Sequence, residues 1–104
     1  MIDADTPSDL HEYLLLPGEQ SMTPDELVSL FRGNVKAIRE ELDISQTELA
    51  RRMGVAPSYI CDIERGRRNP NLTTLAQLAD ALGVMPAALI STALRWQDKE
   101  NPPK

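Results

Sequence analysis

Apolar residues return every three or four positions along most of this chain and nowhere alternate as a strand requires. Leu27, Phe31, Val35, Ile38 and Leu42 form the longest such series, which predicts a helix with those five on its buried stripe. Thr23-Pro24-Asp25-Glu26 stands at its head, supplying a capping Thr, a proline at the first helical position and an acid three residues after the Thr. Gly33-Asn34 is a point at which this helix could kink. Ser45 then predicts the cap of a helix reaching about Met53, with Glu48 as the returning partner of a capping box. Pro57 opens the next helix and Gly66 ends it. Asn71 caps another, carrying Leu72, Leu75, Leu78, Ala79 and Leu82 and stopping at Gly83. Pro86 opens a last helix through about Trp96, which the prolines of Asn101-Pro102-Pro103-Lys104 cannot continue.

The opening residues are less regular. Thr6-Pro7-Ser8-Asp9 repeats the capping phrase and would start a short helix over Leu10, Tyr13 and Leu14, closed by Pro17-Gly18. The competing reading is an irregular acidic leader. The expected organisation is an acidic arm over 1–22, one all-α domain over 23–97 and a loose tail over 98–104.

Composition narrows what such a domain can do. A hydrophobic content of 41% with aromatics at 4% implies a modest, aliphatic core. The single cysteine, Cys61, rules out an internal disulfide framework, and with the single histidine, His11, it leaves nothing for a metal cluster. Cys61 reads as a tolerated small residue, His11 as a solvated one, and Met22, Met53 and Met85 as core filler or start and turn residues. Leu14 to Leu16 is far short of the roughly 20 apolar residues a membrane span needs. No basic-then-apolar leader follows Met1, so a cytoplasmic location is expected.

The formal charge of −5 argues against a nucleic-acid partner until its distribution is considered. Residues 1–33 hold seven acids and one base, whereas 51–68 hold five arginines against Asp62 and Glu64. Local field governs phosphate attraction, because screening cuts off beyond about 8–10 Å at physiological salt.

Those arginines flank a demanding pattern. Ala50 is small where two helices must approach, and Gly54 falls at the turn between them. Ile60 and Ile63 anchor the second helix, leaving Ser58, Asp62 and Arg65 on its opposite face with Cys61 at the edge. Arg39, Ser45-Gln46, Glu48-Leu49-Ala50, Gly54-Val55, Ile60, Ile63-Glu64-Arg65-Gly66, Asn69-Pro70, Leu75, Leu78-Ala79 and Leu82-Gly83-Val84 together resemble the Cro/XRE-type helix-turn-helix family over about residues 31–90.

The resemblance implies a five-helix, lambda-repressor-like bundle that binds double-stranded DNA with no cofactor. It implies that Gln46 bonds a phosphate and buttresses the recognition helix at 57–65. Ser58 and Asp62 match positions that face base edges, Tyr59 one that reaches base or backbone, and Arg67, Arg68 and Asn69 the loop along the phosphates. Thr47, Arg51, Pro57 and Arg65 complete the expected interface, and Arg52 shares the phosphate-facing arginine cluster. Arg39 and Glu64 match a buried structural ion pair, with phosphate contact by Arg39 as the other possibility. Pro57 departs from the pattern by offering only an apolar ring, and Ala56 stands where a capping Ser or Thr is common. Asp62 can read only a cytosine amino group. Direct readout is therefore expected to be thin, with DNA shape contributing.

Leu89, Ile90, Ala93, Leu94 and Trp96 spread over more than one stripe, so Ile90, Leu94 and Trp96 are expected at a homodimer interface. The resulting expectation is a dimeric repressor. The alternative is an antitoxin or adaptor whose acidic arm over 1–22 binds a protein partner while the helices serve autoregulation. A third reading makes the arm an autoinhibitor of the arginines.

Overall fold

The computed structural model describes residues 22–94. The expected leader helix over Leu10 to Leu14, Trp96 and the tail over 98–104 lie outside the described residues. Within them are four α-helices and a short 3-10 helix: α1 (Pro24–Glu41), α2 (Gln46–Met53), α3 (Pro57–Glu64), α4 (Leu72–Leu82) and the 3-10 turn Pro86–Ile90. No strand occurs among the described residues, and no helix there is long and apolar enough to cross a membrane.

The helix starts follow the sequence closely. Thr23 and Glu26 exchange hydrogen bonds in a full capping box, with Thr23 N–H donating to Glu26 Oε1 at 2.8 Å. Ser45 Oγ accepts from the Glu48 N–H at 2.9 Å, and Asn71 Oδ1 from the Thr74 N–H at 2.8 Å. The expected box at Ser45 is only half made, because the Glu48 carboxylate turns forward to Arg51 and Arg52. Two charge-assisted partners outcompete one backbone N–H.

The helix ends share one closure. After α2, Gly54 at φ 71° lets its own N–H bond Arg51 O, and the Val55 N–H reaches back to Ala50 O at 3.0 Å. The same pair of reverse bonds closes α1, α3 and α4, satisfying carbonyls that would otherwise be orphaned. At α1 the left-handed position is taken by Asp43 at φ 58°, not by glycine.

One core joins every element: Val35 of α1, Leu49 of α2, Ile60 and Ile63 of α3, Leu78 of α4 and Leu89 of the 3-10 turn are fully buried. Truncating one such leucine to alanine costs about 2–5 kcal/mol. The stripe of α1 differs from expectation. Leu27 and Leu42 are 44% and 45% exposed, while Leu30, Phe31, Asn34, Val35 and Arg39 are buried. The helix is continuous through Gly33-Asn34, and its inward face includes two polar side chains that bring their own partners. Leu72, expected on the apolar face of α4, is 82% exposed at the first residue of that helix. Met22 and Met85 are exposed, so only Met53 of those three packs against the core.

The last helix is also corrected. Among the described residues helical structure ends at Ile90, and Ser91 is extended. The fully buried Asn34 donates from Nδ2 to Leu89 O at 3.0 Å and Ser91 O at 2.9 Å. A carbonyl held by a side chain from α1 is drawn away from the geometry that continuing the helix would need.

Candidate nucleic-acid interface

α2 and α3 pack across the Gly54 turn, and α3 is locked at its far end by a buried polar knot. Arg39 Nε and Nη2 donate to Glu64 Oε2 and Oε1 at 2.7 and 3.0 Å. Arg39 Nη1 donates to Ile44 O at 2.9 Å, and Gln46 Nε2 adds a third bond to Glu64 Oε1 at 3.0 Å. The Glu64 carboxylate raises the Arg39 pKa through that bidentate hydrogen bond, against burial, which lowers it. One carboxylate thus ties together α1, the start of α2 and the end of α3. Arg39 is buried, and its guanidinium is committed to Glu64 and to Ile44 O. Gln46 thereby links the start of α2 to the last residue of α3.

With its inner face fixed by Ile60, Ile63 and Glu64, α3 turns Pro57 and Ser58 outward as exposed residues and Asp62 as a partly exposed one. Thr47 on the first turn of α2 is exposed. Ala56 caps α3 without a side-chain hydrogen bond, as its residue type requires.

The arginines fall into two groups. On α2, Arg51 Nε and Arg52 Nε both bond the Glu48 carboxylate at 2.9 Å, and Arg52 Nη1 reaches Ala81 O at 3.0 Å. Hydrogen bonds from Arg51 and then Arg52 hold the Glu48 pKa down from the ordinary 4.5 to about 2. Arg52 thus braces α2 against the end of α4. After α3, by contrast, Arg65, Arg67, Arg68 and Asn69 are exposed. Among the described residues no carboxylate forms an ion pair with those three arginines. Tyr59, half-buried against the core, lies under Arg68, whose guanidinium carbon is 4.6 Å from the ring centre.

Arg32 is the residue sequence reasoning missed. Its Nη1 donates to Glu64 O at 3.4 Å, and its Nε lies 3.1 Å from where a Cβ on Gly66 would sit. Its partners are more than thirty residues away, so no local pattern announces it. Asn34 was missed for the same reason.

A short helix fastened inward, an outward face of small polar residues and an adjoining loop of unpaired cations define the class of helix-turn-helix nucleic-acid readers. The helix-turn-helix family profile matches residues 35–89, and the chain belongs to that family, in its Cro/C1-type branch. It is 45% identical over 56 residues to the immunity repressor protein of Bacillus phage phi105, a match covering 54% of this chain and 39% of that one. The chain thus accounts for about two-fifths of that repressor's length. It is 40% identical over 62 residues to control protein C.BamHI of Bacillus amyloliquefaciens, covering 59% of this chain and 76% of that protein. Among solved structures, a hypothetical transcription factor NHTF from Neisseria superposes with a TM-score of 0.63 at 31% identity, covering 84% of this chain and 95% of the other.

Proposed function

We propose that this chain is a sequence-specific regulator of transcription that binds double-stranded DNA with α3 in the major groove and represses by occluding a promoter. The observation that carries this reading is the juxtaposition of exposed Ser58 on α3 with the unpaired Arg65, Arg67 and Arg68 that follow it. The side chains meet different parts of the duplex. Arginines of the loop draw and orient the phosphates, Gln46 and Thr47 sit at the start of α2 where that helix crosses the backbone, and Ser58 and Asp62 face the base edges. The name of one relative, an immunity repressor, supports repression as the direction of regulation. The mechanism is binding alone and assigns no covalent chemistry to any side chain.

Two chains acting together complete the reading. Leu27, Val28, Phe31, Leu72, Leu75 and Ile90 line an apolar cleft of about 290 Å³ between the starts of α1 and α4. Ile90, at 44% exposure, lies at the rim of this cleft, which would give a second copy an apolar surface to cover. A two-fold pair would set its recognition helices about 34–36 Å apart.

Selection from random duplex DNA with the full chain tests both points. The expected winner is a near-palindrome with half-sites about 10 base pairs apart, bound with an affinity that falls steeply with salt. Recovery of no preferred sequence would end the proposal. A single unpaired half-site, together with a monomer in sedimentation at high micromolar concentration, would remove the dimer.

A further inference from the structure

The loop after α3 is held at two points. Gly66 adopts φ 78°, and the Arg67 N–H bonds Asp62 O at 2.9 Å, so the chain reverses as it leaves the helix. Arg32 packs behind that reversal through Glu64 O and the bare face of Gly66. Two residues on, the Arg68 guanidinium carbon lies over the Tyr59 ring, 4.6 Å from its centre. Tyr59 belongs to the first turn of α3, so this contact carries the loop back along the helix it has just left.

The chemistry of the contact divides the guanidinium in two. Its positive charge is drawn to the negative face of the ring, while N–H groups directed away from the ring can bond a phosphate. Tyr59 is half-buried and packed against the core cluster, which gives the ring a backing. An arginine held in place before binding loses less side-chain freedom on meeting its phosphate.

We propose that Tyr59 is a positioning residue that presents Arg68 to a DNA phosphate, and that it does not read a base. This rests on the DNA-binding reading above and assigns Tyr59 a role that the recognition-helix pattern alone would not give it.

The test is a double-mutant cycle on the full chain, with affinity for the selected duplex measured across a salt series. Arg68→Ala should make the slope of log affinity against log salt shallower by about 0.9, the signature of one lost phosphate contact. Tyr59→Leu should weaken binding about two- to fivefold in the parent and leave Arg68→Ala unchanged. Tyr59→Phe should bind like the parent. Arg68→Lys alters an exposed residue, so a silent result from it overturns the inference even if Tyr59→Leu fails to fold. Lysine keeps the charge without the planar face, and affinity should drop about two- to fivefold.

Additive losses in the cycle, a Tyr59→Phe defect equal to that of Tyr59→Leu, or a silent Arg68→Lys would each overturn the inference while the DNA reading stands. A parent chain that retains no duplex at all would overturn both.

Discussion

The two faces of α3 are built on opposite principles. Its inner face ends in Glu64, whose two oxygens accept three hydrogen bonds from α1 and α2, and carries Ile60 and Ile63 with almost no exposure. Its outer face carries Pro57 and Ser58 exposed to solvent. Each inward residue is determined by several neighbours at once, so changing one leaves the others unsatisfied. The outward residues are determined by a partner that is another molecule. A helix can thus change what it reads without changing how it is held.

The largest expected effect tests the inner face. Glu64→Gln leaves the Arg39 cation buried against a neutral amide and should cost about 3 kcal/mol of stability, since breaking a buried pair strands a charge. Urea unfolding at constant m gives the number. A loss below about 1 kcal/mol would mean the knot is not the fastening described. Replacing both partners together, Arg39→Met with Glu64→Leu, should recover most of that loss, because no charge then remains unpaired.

The glycine turns bounding α3 give the next effect. Gly54→Ala meets open space but forces alanine into left-handed backbone, at about 1–2 kcal/mol. Gly66→Ala carries the same backbone cost and also presses its Cβ on Arg32 at 3.1 Å, so it should be the more destabilising. It should also weaken DNA binding, because the loop arginines follow it. Equal stability losses with equal affinity would deny Arg32 any part in shaping the loop.

These contrasts explain what was legible in the sequence. The helix starts at Thr23, Ser45, Pro57 and Asn71 are local matters of cap and ring, and their signals lie within four residues. The core of α2 and α3 was legible because it is apolar and periodic. The stripe of α1 was misjudged because hydrophobicity cannot mark Asn34 or Arg39 as inward, and both are buried only because distant groups satisfy them. Asp43 closes α1 where the local cue would have been glycine. The last helix was overextended for the same long-range reason, since the side chain that diverts its carbonyls is more than fifty residues away. At the site, the sequence placed the arginines but could not show that Glu48 occupies two of them.

Changes on the outer face should scarcely register in folding. Ser58→Ala and Asp62→Asn should each stay within about 0.5 kcal/mol of the parent in stability. Their affinities should part company. Ser58→Ala weakens binding to the selected site, whereas Asp62→Asn removes a carboxylate that repels phosphate and tightens binding to unselected duplex. A large fall in stability from either would mean that the outer face also serves as scaffold.

The smallest effect concerns Glu48, which stands between the two regimes. Its folded pKa lies below its ordinary value, so its bonds to Arg51 and Arg52 support the fold above pH 4.5. That support fades as the pH falls from 4.5 to about 2. Exposure and screening keep it small, and Glu48→Gln should flatten only this acid limb of a plot of melting temperature against pH. The same variant asks a sharper question of DNA. If Glu48 withholds Arg51 from the backbone, Glu48→Gln should steepen the salt dependence of binding by about 0.9 per arginine released. If the largely exposed Arg51 side chain already reaches a phosphate beside its carboxylate, the slope will not move. Arg52, anchored to Ala81 O, should contribute nothing in either case, so a change of two phosphates would contradict its assignment to the scaffold.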